Sequence, residues 1–267
     1  YASQGWPVDH VAPTGGRSMV CRSTDNGRTW SKPATVIDYR LDDRPDALFT
    51  SRDGTVLCFV NVQASWYGYP VAPSAFKKDI QGLNTQQLIV RSKDNGKTWS
   101  EPIWIEPPRG ATYERAHGRP IQLADGGILW ATYCNSPSGL FGAVHRSDDS
   151  GKTWKVISVI RRANGKPIDE PAVAELKDGR LMLFSRTDGG SQFISYSEDG
   201  GDTWSAQQAS NRISPVPPAT IERIPSTGDL LVAWNDHSKI TPELRGKRTP
   251  FNVAISRDDG QTWSDSR

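Results

Sequence analysis

A chain of 267 residues is long enough for one large β domain or two ordinary ones, and its 36% apolar content is that of a globular fold without an eighteen-residue apolar run to cross a membrane as a helix. The 32 basic and 30 acidic residues leave a net charge of +2, too balanced to argue for nucleic acid or a charged membrane surface as partner. Cys21, Cys58 and Cys134 lack C-x-x-C spacing, which argues against zinc and against a disulfide framework, so free buried thiols are expected.

Five segments share the template Ser-x-Asp-x-Gly-x-Thr-Trp: residues 23–30, 92–99, 147–154, 197–204 and 256–263. Their tryptophans fall 69, 55, 50 and 59 residues apart, a period that marks a repeat architecture. The Ser, Asp and Thr side chains bond to local backbone N–H groups, and the glycine supplies positive φ, so each box reads as a tight hairpin turn. The tryptophan just past the turn anchors the hairpin on its neighbour.

Between the boxes runs a second, weaker repeat. Ala47-Leu48-Phe49 and Val56-Leu57-Cys58-Phe59 flank Asp53-Gly54, and Ile121-Gln122-Leu123 and Ile128-Leu129-Trp130 flank Asp125-Gly126. Ala172-Val173-Ala174 and Leu181-Met182-Leu183-Phe184 flank Asp178-Gly179, and residues 221–224 and Leu230-Leu231-Val232 flank Thr227-Gly228. Two short apolar runs about such a turn read as a β-hairpin. Outermost strands follow the tryptophans, as at Thr35-Val36-Ile37 and residues 157–160. Each unit therefore holds two inner and two outer antiparallel strands. The fold class is all-β, a β-propeller, with no sustained helical periodicity.

At about 58 residues per blade the chain makes four to five blades. Residues 1–267 are read as a single propeller domain, incomplete at both ends, because few residues precede the first box and four follow Trp263. No signal peptide opens the chain, and an entry in mid-blade leaves export open.

In such a meander the Asp-Gly and box turns share one face. The opposite face carries irregular connections, over 64–86 with Trp66, Tyr67 and Tyr69 and over 235–247. Function lives most often on loops of that kind. Glu170 starts an inner strand and Arg186 ends its partner, equidistant from Asp178, so they read as cross-strand neighbours. Arg248 stands eight residues before Ser256, and Arg44 and Arg119 stand at first-strand starts. One acid among several arginines suits a carboxylate ligand, because guanidinium pairs bidentately and stays charged. Rim salt bridges are the structural alternative.

The five boxes resemble the Asp-box repeats of sialidases, and the likeness extends to the site. Residues 169–179 with Ser185-Arg186 are similar to that family's Asn-Glu segment and second arginine, with Asp169 where the family has Asn. Arg248 is similar to its third arginine, and residues 117–123 resemble its third blade, although Arg119 is not a usual catalytic position. The resemblance implies a six-bladed propeller and a retaining exo-α-sialidase that needs no cofactor and no metal. In that family arginines clamp the sialic acid carboxylate, a tyrosine activated by a glutamate attacks the anomeric carbon, and an aspartic acid protonates the leaving oxygen. Glu170 then implies the base, with Arg186 and Arg248 as substrate clamps. The implied partner is a sialylated or other acidic glycan, and the implied location is secreted, periplasmic or cell-surface.

Some parts do not map. The first arginine falls before Tyr1 and the tyrosine beyond Arg267, while the acid falls near Gln4, with Asp9 the nearest candidate. A rival register takes residues 44–48 as the first-arginine strand; it puts Glu170 one blade too early and ranks second, and Arg44 stays a candidate for the pocket. The alternatives are a propeller that binds acidic glycans without hydrolysis, and a glycosidase or lyase acting on another sugar acid.

Several motifs read blandly. Gly96-Lys97-Thr98 and Gly151-Lys152-Thr153 lack the upstream glycine of a phosphate loop, having Arg91 and Arg146 there. His10, His117, His145 and His237 have no ligand spacing. The box aspartates read as Asx-type turns rather than calcium loops.

Overall fold

The computed structural model describes residues 2–4, 17–39, 42–63, 85–161, 168–214 and 217–265. Among them the regular structure is β, apart from one 3-10 turn, Pro242–Leu244. No helix among the described residues is long and apolar enough to cross a membrane.

Five antiparallel sheets follow in chain order. The first holds β1 (Ala2–Gln4), β2 (Arg17–Val20) and β3 (Ala34–Ile37), and the second β4 (Asp42–Thr50), β5 (Val56–Gln63), β6 (Thr85–Ser92) and β7 (Ile103–Trp104). The third joins β8 (Tyr113–Ala116) and β9 (Ile121–Gln122), both on β10 (Ile128–Ser136), to β11 (Gly139–Ser147) and β12 (Lys155–Ile160). The fourth is β13 (Asp169–Glu175), β14 (Leu181–Arg186), β15 (Ser191–Ser197) and β16 (Gln208–Ile213). The fifth is β17 (Thr220–Arg223), β18 (Leu230–Trp234) and β19 (Asn252–Ser256). These meanders are blades of a β-propeller, and the four to five units expected from the repeats are present. One inner strand differs from expectation. Gly118 and Pro120 interrupt it, so Arg119 lies in the break between β8 and β9.

The boxes fold alike. In each, the serine Oγ–H donates to one aspartate oxygen at 2.7–2.9 Å and accepts the glycine N–H at 2.7–2.9 Å. The aspartate also accepts the threonine N–H at 2.8–2.9 Å and its Oγ1–H at 2.5–2.7 Å. The glycine is not alone in the left-handed region. The residue before it also has positive φ, at 57° for Asn26, 58° for Asn95 and 55° for Asp259, which short polar side chains tolerate by bonding locally.

Two compact units divide the chain. One comprises residues 1–115, 126–128 and 147–155, the other 116–125, 129–146 and 156–267. In the first, Val20 and Val36 pack with Val60, Leu88 and Val90, and Trp99 closes over them. Trp154 meets Phe59 edge-on at 5.6 Å. In the second, Trp204 packs on Leu129, Val144 and Leu183, and Trp263 on Met182, Phe184 and Leu230. Each of these rings therefore leans on the sheet before its own, contributing about 2 kcal/mol by area removed from water.

Arginines tie neighbouring boxes, a device the template does not contain. Arg22, just before the first box serine, donates Nη1–H to the Gly96 carbonyl, and Arg91, just before the second, donates Nε–H to the Ser150 carbonyl at 3.1 Å. In the second unit Asp259 takes over, accepting from Arg223 Nη2 at 2.9 Å and from the Lys177 N–H at 2.7 Å.

Candidate functional site

The hairpin β13–β14 turns at Asp178-Gly179, as expected, but its register slips by one at the open end. Ala172 faces Phe184 and Val173 faces Leu183, whereas Asp169, not Glu170, is the Cα partner of Arg186. A bulge at Glu170-Pro171 accounts for the shift. Proline has no N–H for the ladder and sits in strands mainly at edges and bulges. Glu170 itself takes φ 42°, a conformation that costs a non-glycine residue about 1–3 kcal/mol and marks a site held by its surroundings.

One of those surroundings is Gly118. A Cβ there would come within 2.5 Å of the Pro171 carbonyl oxygen and 3.0 Å of the Ala172 Cα. The 117–120 segment therefore lies directly on the bulge, and only glycine allows that approach.

Despite the slip, the side chains meet. Arg186 Nη1 donates to Glu170 Oε2 at 2.7 Å and lies 3.5 Å from Asp169 Oδ2. The Arg186 side chain is 22% exposed and each carboxylate 17%, a half-buried cluster open on one side. Burial pulls the Arg186 guanidinium down, but the Glu170 hydrogen bond and the Glu170 and Asp169 charges outweigh it, with Tyr133 of β10 adding to them, and hold it above the ordinary arginine value. Asp169 and Tyr133 belong to this cluster although the sequence singled out neither as a site residue; Pro171 was the signal for the first.

Arg119 forms a two-pronged bridge with Glu222 of β17, both oxygens at 2.9 Å, with side chains 55% and 40% exposed. Arg248 is exposed on the β18–β19 connection and makes no hydrogen bond or ion pair with a described residue. Arg44 is half-buried on β4, with Asn61 as its Cα partner, in the first unit. Gln4 pairs with Arg17 across β1–β2. Asp9, His10, Trp66, Tyr67 and Tyr69 lie outside the described residues.

Among the described residues no three His, Cys, Asp or Glu side chains are grouped to hold a metal. His237 bonds the Lys247 and Thr249 carbonyls at 3.0 and 3.1 Å. Grooves of about 710 and 480 Å³ run beside Trp263, and neither is lined by Glu170 or Arg186.

The BNR repeat-like domain matches residues 42–267, and a BNR/Asp-box repeat matches 22–32. The chain belongs to the sialidase family with BNR/Asp-box repeats. A sialidase of Bacteroides fragilis is 29% identical over 92% of this chain and 47% of its own length, and one of Micromonospora viridifaciens is 30% identical over 98% and 43%. The chain thus spans about half the length of the curated relatives it matches. The solved structure of a Hadza microbial sialidase superposes with a TM-score of 0.77 at 24% identity, covering 98% of this chain and 53% of that one, which is a likeness of fold.

Proposed function

We propose that the protein is a retaining exo-α-sialidase-type glycoside hydrolase that releases terminal sialic acid from glycoconjugates. Residues 1–267 are read as one propeller domain of it. The observation that carries the reading is the Glu170–Arg186 contact at 2.7 Å, built on a left-handed bulge within a family of sialidase-named relatives. Backbone strain gathers where geometry is held for function.

In this reading Glu170 is the general base. It takes the proton from a phenol nucleophile as the oxygen–carbon bond to the sugar forms, and the glycosidic bond breaks toward a protonated leaving oxygen. A neutral phenol avoids the repulsion a carboxylate nucleophile would meet beside the substrate carboxylate. Arg186 and Arg248 pair with that carboxylate, and Arg44 and Arg119 are outer substrate contacts, Arg119 only by releasing Glu222. No cofactor enters, and a secreted, periplasmic or cell-surface location goes with a glycan substrate.

Turnover of a fluorogenic sialoside by the full-length protein tests this. Release of sialic acid, crippled in Arg186→Ala, supports it. Sialoside binding without turnover replaces it with the second reading, a propeller that binds acidic glycans, which the Ser3-Gln4-Gly5 sequence at the expected acid position favours.

A further inference from the structure

The connection 235–251 between β18 and β19 carries Lys239, Arg245, Lys247 and Arg248 against Asp236 and Glu243, a balance that suits an anionic ligand. A long surface loop does not hold its side chains by core packing. An arginine on it meets its ligand only once the backbone is ordered, and affinity is lost to that ordering.

This loop is ordered by named contacts. Asn235, buried just past β18, donates Nδ2–H to the Pro250 carbonyl at 3.0 Å and closes the base. His237 donates its backbone N–H to the Ile213 carbonyl of β16 at 3.1 Å, and the next N–H, of Ser238, turns back onto Asp236 Oδ1 at 2.9 Å. The imidazole then reaches across the loop. Its Nε2 lies 3.0 Å from the Lys247 carbonyl oxygen and 3.1 Å from that of Thr249. Carbonyl oxygens only accept, so Nε2 carries the proton and donates to both. Arg248 is the residue between them. Fixing the direction of both flanking carbonyls fixes the backbone torsions that lie between, and so the point from which the Arg248 side chain starts. The 3-10 turn Pro242–Leu244 adds support, since the Lys247 N–H donates to the Leu244 carbonyl at 3.0 Å.

We propose that His237 is a positioning residue for anion recognition: its imidazole holds the backbone on both sides of Arg248, so that the guanidinium is presented, already placed, to the substrate carboxylate. This rests on the reading of Arg248 as a carboxylate clamp. His237 acts through Arg248 and not on the sugar. Because a carboxylate is gripped alike before and during bond cleavage, the contribution is to binding, and it is read in Kd and KM rather than in kcat.

The test is a double-mutant cycle in the full-length protein, with the Kd of N-acetylneuraminic acid from calorimetric titration and circular dichroism to follow the fold. Expected is binding weaker by on the order of tenfold in His237→Ala, with most of it recovered in His237→Gln, whose amide N–H reaches about as far as Nε2. In an Arg248→Ala background, His237→Ala is expected to change Kd by less than about twofold. An unchanged Kd in His237→Ala overturns the proposal. So does an equal loss in the Arg248→Ala background, because the imidazole then supports the blade at large. His237→Gln as weak as His237→Ala overturns it too, since the donor is then not what matters. A His237→Ala that does not fold overturns it as well, because the ring then serves the blade itself. If wild type binds and Arg248→Ala binds equally well, the Arg248 assignment falls and takes this proposal with it, while the reading of Glu170 and Arg186 stands. If wild type does not bind the sugar, both fall.

Discussion

Glu170 and Arg186 are joined at 2.7 Å although they are not partners in the ladder: the Cα opposite Arg186 is that of Asp169. The contact exists because Glu170 turns back at φ 42°, and Gly118 packs on the carbonyl of Pro171 next to it. Site geometry in this hairpin thus comes from a local departure from regular pairing, braced by a neighbouring segment.

Arg186→Ala removes the cation from a half-buried cluster with two carboxylates. In the proposed enzyme kcat/KM falls by about 10²-fold or more, as when one partner of a buried charge pair is truncated. Arg186→Lys keeps the charge but not the fork, and recovers only part of the loss. Steady-state kinetics with a fluorogenic sialoside, alongside circular dichroism to show an intact fold, checks both.

Gly118→Ala places a methyl group where the Pro171 carbonyl now sits. The bulge must shift, with a stability cost of about 1–3 kcal/mol from overpacking, and Glu170 moves with it. The expected signature is a kcat loss larger than the change in thermal midpoint accounts for. Differential scanning calorimetry and kinetics on one preparation compare the two.

Arg248 and Arg119 separate binding from folding. Arg248→Ala leaves the midpoint of unfolding within about 0.5 kcal/mol, because the side chain is exposed and without an ion-pair partner among the described residues, and it raises KM with kcat little changed. Arg119→Ala breaks an exposed bridge to Glu222, costs under about 1 kcal/mol, and alters KM less than Arg248→Ala does. Urea melts and Michaelis curves of the two variants decide the order.

The boxes carry a pH dependence. Hydrogen bonds from the threonine hydroxyl, then the threonine N–H, then the serine hydroxyl hold Asp25, Asp199 and Asp258 down at about 2 from an ordinary 3.8. A carboxylate with a depressed folded value contributes stability that is full above 3.8 and lost as pH falls through about 2. Asp199→Asn removes its share, so its stability declines less steeply over that window than wild type. Tryptophan fluorescence during acid titration reads the difference, with Trp204 beside the altered turn.

The chain's plan was legible because its repeats are chemical: the Ser, Asp, Gly and Thr positions form a self-contained hydrogen-bond set that needs no distant partner. The Asp-Gly hairpins were legible for the same reason, and Val173 opposite Leu183 is the register their spacing implies. What the alternation of apolar residues hid was the slip at Glu170, since a bulge moves one residue without disturbing the pattern on either side. Pro171 announces it, as Pro45 announces the shift between Pro45 and Ala47 in the second sheet. The Arg119–Glu222 bridge spans 103 positions of sequence, and no local signal points to it. The arginine before the box serine recurs as Arg22, Arg91 and Arg146, a pattern visible in the sequence; for Arg22 and Arg91 its meaning needed the neighbouring box in space, whereas Arg146 pairs with Asp125 between β9 and β10.

Hydrolysis of an α-sialoside by the full-length protein, followed by proton NMR, tests the central claim most directly. The account predicts that α-N-acetylneuraminic acid appears first and mutarotates later, and that Glu170→Gln abolishes its appearance while still binding the sugar. Release of the β-anomer first, or undiminished turnover in Glu170→Gln, would contradict it.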